Sequence, residues 1–151
     1  MRQISKSAFL TTILVIGYSL MSFKADDNGD RILGMWLTAS KNAKIQIYKA
    51  HGAYHGRIHW ATDLYEADGK TLRLDSKNEE KSKRARTIKN LVLLSNFKFA
   101  DGLWTDGTIY DPQNGKTYKC KMSLSGSNLS IRGYIGISLL GRTEVWTRAE
   151  N

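Results

Sequence analysis

From residue 34 to the end of the chain, apolar and polar residues alternate with a period of two, and almost no stretch sustains a helical period. Ile45 and Ile47 alternate with Lys44, Gln46 and Tyr48, and Gly56, Ile58 and Trp60 alternate with His55, Arg57 and His59. Such segments carry one apolar and one wet face, the signature of strands in an antiparallel sheet. Eight of them are predicted, at 34–39, 43–49, 54–61, 88–97, 102–109, 116–124, 128–134 and 142–148. Most of the intervening stretches are short and hold Gly or Asn where a reversal needs positive φ. The single proline, Pro112, falls in one of these turns, where its missing N–H costs no ladder bond. Short connections make sequence neighbours pair as a meander, and eight meandering strands remove their exposed edges by closing into a barrel. The expected fold is all-β, an antiparallel eight-stranded barrel in one domain over residues 26–151.

The first 25 residues differ in kind. Arg2 and Lys6 precede the uncharged apolar run 8–23, which reads as a secretory signal peptide, with the mature chain starting between about residues 23 and 26. The run is short for a membrane span, which takes about 20 apolar residues. Loss of Arg2, Lys6 and Lys24 lowers the net charge from +9 to +6 and removes no acid. Export to the periplasm or the exterior argues against the nucleic-acid partner that so basic a chain would otherwise invite. It leaves anionic envelope lipids or polymers and small acidic ligands as partners. An outer-membrane barrel fits poorly, because such strands need about 9–11 residues and an apolar outer band.

One segment breaks the meander. Residues 62–87 form a long polar stretch with a basic end, and a connection of this length is usually functional or disordered. Glu79, Glu80, Lys83 and Arg84 permit a short helix over 78–86 through i,i+4 pairing. Lys81, Lys83, Arg84 and Arg86 read either as a solvated face or as a patch for an anionic envelope component.

Chemistry-bearing groups are sparse. Cys120 is the lone cysteine, set among alternating apolar residues as a small buried side chain. His55 and His59 share a strand face but stand about 13 Å apart, too far for one zinc ion. No residue grouping meets the requirements of a catalytic site, and no metal or cofactor is implied. The aromatic pattern is richer. Trp104 and Tyr110 fall on one strand face by parity, as do Arg132 and Tyr134, with Arg142 heading the last strand. These rings either fill the barrel or, with Arg132, Tyr134 and Arg142, hold a small amphipathic or acidic ligand.

Gly34–Met–Trp36 opens the first strand and Trp146–Thr–Arg148 closes the last. A G-x-W early and an arginine late resemble the structural signature of lipocalins and their calycin relatives. The resemblance implies that Gly34, Trp36, Trp146 and Arg148 close the barrel, with indole as plug and guanidinium stacked on it. The stretches DRILGMW, YHGRI, LWTDGTIYDPQNGKTYKCKMSL and LSIRGYIGISLLGRTEVWTR, spread over 30–148, resemble a bacterial family of exported domains of unknown function, DUF2147. That resemblance implies a secreted or periplasmic lipocalin-like barrel and brings no agreed activity. Relatives usually carry D-x-x-N-P-D before the fourth strand. Here Asp75 and Asn78 match, Glu79 stands at the proline, and Asn90–Leu91 replaces a Gly-Leu.

Overall fold

A computed structural model describes residues 28–150. The signal-peptide assignment for residues 1–25 lies outside them. Eight strands follow a 3-10 turn at Gly29–Ile32: β1 Gly34–Leu37, β2 Ala43–Ala50, β3 Ala53–Ala61, β4 Val92–Ala100, β5 Leu103–Asp111, β6 Lys116–Ser125, β7 Asn128–Tyr134 and β8 Arg142–Arg148. Each pairs antiparallel with its sequence neighbour, and β8 returns to β1, so the sheet is a closed barrel. Among the described residues no helix is long and apolar enough to cross a membrane.

Strand alternation builds the interior. Trp36, Ile45, Ile58, Leu94, Phe97, Trp104, Met122, Leu129, Ile131 and Trp146 are buried and form one continuous core. Side chains fill this small barrel, as its strand number leads one to expect. The 3-10 turn plugs one end, shared with the β2–β3, β4–β5 and β6–β7 turns. Trp36 Nε1 donates to the Ile32 carbonyl (2.8 Å) and Trp104 Nε1 to the Gly29 carbonyl (3.2 Å). Phe99 packs on Trp104 at a 4.6 Å ring separation, and Tyr54 meets its edge at 6.4 Å.

β8 seals the barrel at the same end. The Arg148 guanidinium lies 4.1 Å from the Trp36 ring centroid and donates to the Leu33 (2.7 Å) and Arg31 (2.5 Å) carbonyls. This geometry explains the glycine of the G-x-W motif. Gly34 sits at φ +117, and a Cβ there would stand 3.2 Å from Arg148 Nη1. Trp146 is buried beside this seam, and its Nε1 has no hydrogen-bond partner.

Two expectations need correction. The fourth strand begins at Val92 rather than at residue 88, because Asn90 at φ 62 breaks the extended run: Ile88 N donates to Arg73 O in the preceding connection, whereas Asn90 N and Leu91 O bond to Ile58 of β3. The proposed helix over 78–86 is only a three-residue 3-10 turn, Lys81–Lys83. Lys81, Lys83 and Arg84 are solvent-exposed as expected, but Arg84 Nε and Arg86 Nε donate inward to Asn78 O and Asp75 Oδ2, and those bonds outweigh weak i,i+4 pairing.

Candidate functional site

The long connection between β3 and β4 is folded rather than loose. Tyr65 bridges Leu72 and Leu74 bridges Thr87, so two reversals stack one on the other. Backbone bonds from Arg73 N to Leu64 O and from Asp75 N to Arg86 O, both 2.9 Å, tie them together. Leu64 and Leu91 anchor the base of the connection in the core.

At its centre lies Asp75, fully buried. Its Oδ1 accepts from the Tyr110 hydroxyl (2.5 Å), and its Oδ2 accepts from Asn78 Nδ2 (2.8 Å) and Arg86 Nε (2.9 Å). Arg86 Nη2 makes a further contact at 2.8 Å, so the guanidinium grips Oδ2 through two nitrogens. A buried carboxylate demands this degree of compensation. Asn78 Nδ2 also reaches the Tyr110 oxygen (3.0 Å), and Arg84 Nε donates to the Asn78 carbonyl (2.7 Å). Burial, and then the neighbouring Asp75 carboxylate, push the Tyr110 phenol above its ordinary pKa. The β5–β6 turn supplies the floor. Gly115, at φ +77, leaves no room for a side chain, since a Cβ there would lie 1.8 Å from the Lys77 carbonyl oxygen.

Between this stapled segment and the outer face of β4–β6 runs a groove of about 370 Å³. The loop side contributes Asn78, Glu79, Glu80, Lys83 and Arg86, and the sheet side Val92, Leu93, Ser95, Thr108, Tyr110 and Thr117. Lys83 is paired to Glu80 and Arg86 to Asp75, while Glu79 makes no ion pair among the described residues. What the groove offers a ligand is therefore a mostly polar wall, a row of hydroxyls and the Glu79 carboxylate, beside the small apolar surface of Val92 and Leu93.

The five residues singled out from the sequence do not converge. Trp104 and Tyr110, expected on one face, lie on opposite faces of β5. The β5–β6 register shifts between Trp104 and Gly107, and Asp106 takes φ 60, so one extra residue reverses the parity beyond it. Trp104 and Gly107 point into the barrel, where a Cβ on Gly107 would strike the Phe97 ring, while Thr108 and Tyr110 point out. Arg132 is spent on the β7–β8 connection: Nε donates to Ser138 O (2.7 Å), Nη2 to Leu139 O (3.2 Å) and Nη1 to Thr143 Oγ1 (2.7 Å). Tyr134 lies two residues further along β7, opposite Lys119. Arg142 is 86% exposed and meets Glu144 at 3.5 Å.

Asp75 and Asn78 are residues that sequence reasoning did not place in a site, and Arg86 entered it only as part of a basic patch. The D-x-x-N spacing was their only visible signal. Elsewhere, burial pushes the Cys120 thiol up to about 12, far from a nucleophile's range. His55 stacks on Tyr48 with ring centroids 5.6 Å apart. Among the described residues no three His, Cys, Asp or Glu side chains gather as a metal site.

Comparison with solved structures finds a Helicobacter pylori protein described as belonging to the lipocalin family. It superposes with a TM-score of 0.66 at 19% identity, over 79% of this chain and 83% of that one. At that identity the likeness is one of fold. No curated protein matches. Residues 34–148 match the family described as uncharacterized proteins conserved in bacteria, DUF2147. They run from the glycine beneath Arg148 to Arg148 itself, spanning the closed barrel and its stapled connection: this chain belongs to the DUF2147 family.

Proposed function

We propose that the protein is an exported binding barrel, not a catalyst, that holds a small amphipathic ligand outside the barrel, between the Asp75-stapled segment and β4–β6. The observation that carries this reading is the groove itself. Its volume, about 370 Å³, falls in the range of small-molecule sites, which run from roughly 300 to 1,000 Å³. Val92 and Leu93 suit an aliphatic or ring portion of a ligand, and Ser95, Thr108 and Thr117 suit its polar groups. The Glu79 carboxylate, beside cations already held by Glu80 and Asp75, favours an amphipathic ligand over a strongly acidic one. The interior, by contrast, is occupied by Trp36, Phe97, Trp104 and their neighbours. Because Asp75, Tyr110 and Arg86 hold one wall in place before any ligand arrives, little ordering cost attaches to binding.

Native mass spectrometry of protein recovered from its host tests the proposal. A bound small molecule is expected, and Thr108→Trp, which fills the groove from the sheet side, is expected to abolish it. Protein that stays empty under gentle conditions, or an adduct that survives Thr108→Trp, overturns the reading. The same intact mass tests export: a chain beginning between residues 23 and 26 supports it, and an uncleaved chain overturns it.

A further inference from the structure

The connection between β7 and β8 presents Ile135, Ile137, Leu139 and Leu140 at 72%, 60%, 85% and 80% exposure. No other large apolar residue among those described exceeds 45%. Scattered single apolar residues are ordinary on a protein surface, but four at the tip of one connection form a patch that calls for a partner.

This tip is not slack chain. A 3-10 turn, Ser138–Leu140, forms its crest, with Leu140 N bonded to Ile137 O and Gly141 N to Ser138 O, both at 3.2 Å. Arg132 fastens it from beneath by donating to the Ser138 and Leu139 carbonyls and to Thr143. The backbone is thus fixed by inward hydrogen bonds while the aliphatic side chains stay in water. Around its base stand cations: Arg142, 86% exposed, and on β6 Lys119 and Lys121, opposite Tyr134 and Arg132. Glu144, facing Arg142, is the acid of this neighbourhood.

We propose that the β7–β8 tip is a membrane-docking surface, which inserts Ile135, Ile137, Leu139 and Leu140 into the headgroup–acyl boundary of a bilayer while Arg142, Lys119 and Lys121 meet anionic lipid. Apolar residues projecting beyond a basic collar are the recognised chemistry of interfacial binding. Charge complementarity selects lipid over a second copy of this chain, whose collar would face this one with like sign. Area points the same way: four aliphatic side chains fall well short of the roughly 800 Å² per partner that a stable protein interface buries. The tip lies at the barrel end opposite the 3-10 plug, so docking leaves the closure seam undisturbed. This proposal does not depend on the groove and its ligand.

The test uses the barrel, residues 28–150, which holds all eight strands and both closing elements and lacks the apolar N-terminal run. Co-sedimentation is measured with vesicles of phosphatidylglycerol and phosphatidylcholine in equal parts, and with phosphatidylcholine alone. Binding is expected to favour the anionic vesicles. Leu139→Ser/Leu140→Ser is expected to weaken it on the order of a hundredfold, and Arg142→Ala about fivefold at low salt. Each variant should keep the parent's thermal midpoint, because the altered side chains are exposed. Thr108→Trp should bind vesicles like the parent, which separates this proposal from the ligand reading. Absent vesicle binding, equal binding by the double serine variant, or a concentration-dependent dimer abolished by that variant would overturn it.

Discussion

Replacing Asp75 by alanine asks what the buried staple contributes. The substitution deletes a carboxylate that accepts from Tyr110, Asn78 and two nitrogens of Arg86. Tyr110 and Asn78 keep their mutual contact at 3.0 Å but lose their common acceptor under the loop. An unsatisfied buried donor costs about 1–3 kcal/mol. Arg86 is 38% exposed and can turn to water, so its share is discounted toward the value of a surface pair. The total comes to about 2–4 kcal/mol. The affected bonds lie between Leu74 and Thr87, whereas Leu64 and Leu91 hold the base of the loop in the core. The loss should therefore fall on local opening. Hydrogen exchange at the Asp75, Asn78 and Arg86 amides is expected to rise between about thirtyfold and a thousandfold. Phe97 and Met122, which exchange only when the barrel opens, should accelerate by no more than that factor and stay the better-protected set, and the thermal midpoint should fall by about 6–16 °C. Asp75→Asn, which keeps the shape and one acceptor, should fall between the two. Unchanged exchange across 74–87 in Asp75→Ala would refute the staple, and amides of 74–87 as well protected as those of the barrel core would refute its local character.

Gly115→Ala should open the same segment from the opposite side, because its Cβ would collide with the Lys77 carbonyl; the expected loss is about 1–3 kcal/mol, read from the same amides. In urea unfolding, Trp36→Phe and Trp104→Phe should each cost about 1 kcal/mol more than Trp146→Phe. The first two leave the Ile32 and Gly29 carbonyls without their indole donor, while Trp146 Nε1 has no partner to lose. Hydrogen bonds from Lys49 and Tyr54 hold the Asp30 carboxyl below its ordinary value of 3.8. A depressed folded pKa contributes stability that is fully present above 3.8 and lost as pH falls through the lowered value. Acid unfolding of the parent should accordingly be steeper below pH 3.8 than that of Asp30→Asn, and superimposable profiles would contradict the contact.

Alternation alone made most of the barrel legible, because each strand has one buried face and the turns announce themselves through Gly and Asn. The last two strands run over 128–134 and 142–148 as the pattern predicts. What alternation cannot reveal is a bulge, since one inserted residue reverses every face beyond it. Asp106 at φ 60 separates Trp104 from Tyr110 in this way, and Asn96 takes φ 64 in the neighbouring strand. Asp and Asn tolerate positive φ, so an Asp-Gly or Asn within a strand was the available clue. The groove was hidden for a different reason. Its wall depends on Asp75, whose partner Tyr110 is 35 residues away, and a polar stretch does not disclose which carboxylate will be buried. Arg84 and Arg86 likewise looked like surface charge until the fold supplied inward acceptors.

The seam between β1 and β8 is thin: Trp36 pairs with Arg148 and Leu37 with Thr147, whereas β6 and β7 share seven pairs. Every other ladder joins neighbours in the chain, but Arg148 reaches a carbonyl 115 residues away. Closing that distance early would cost the most loop entropy for the fewest bonds. The meander should therefore zip hairpin by hairpin and acquire its last ladder after the transition state. Substitutions at Arg148 would then accelerate unfolding and leave the refolding rate almost unchanged. On this reasoning the Trp36–Arg148 stack acts as a latch on lifetime, setting how long a finished barrel stays shut rather than how fast one is made.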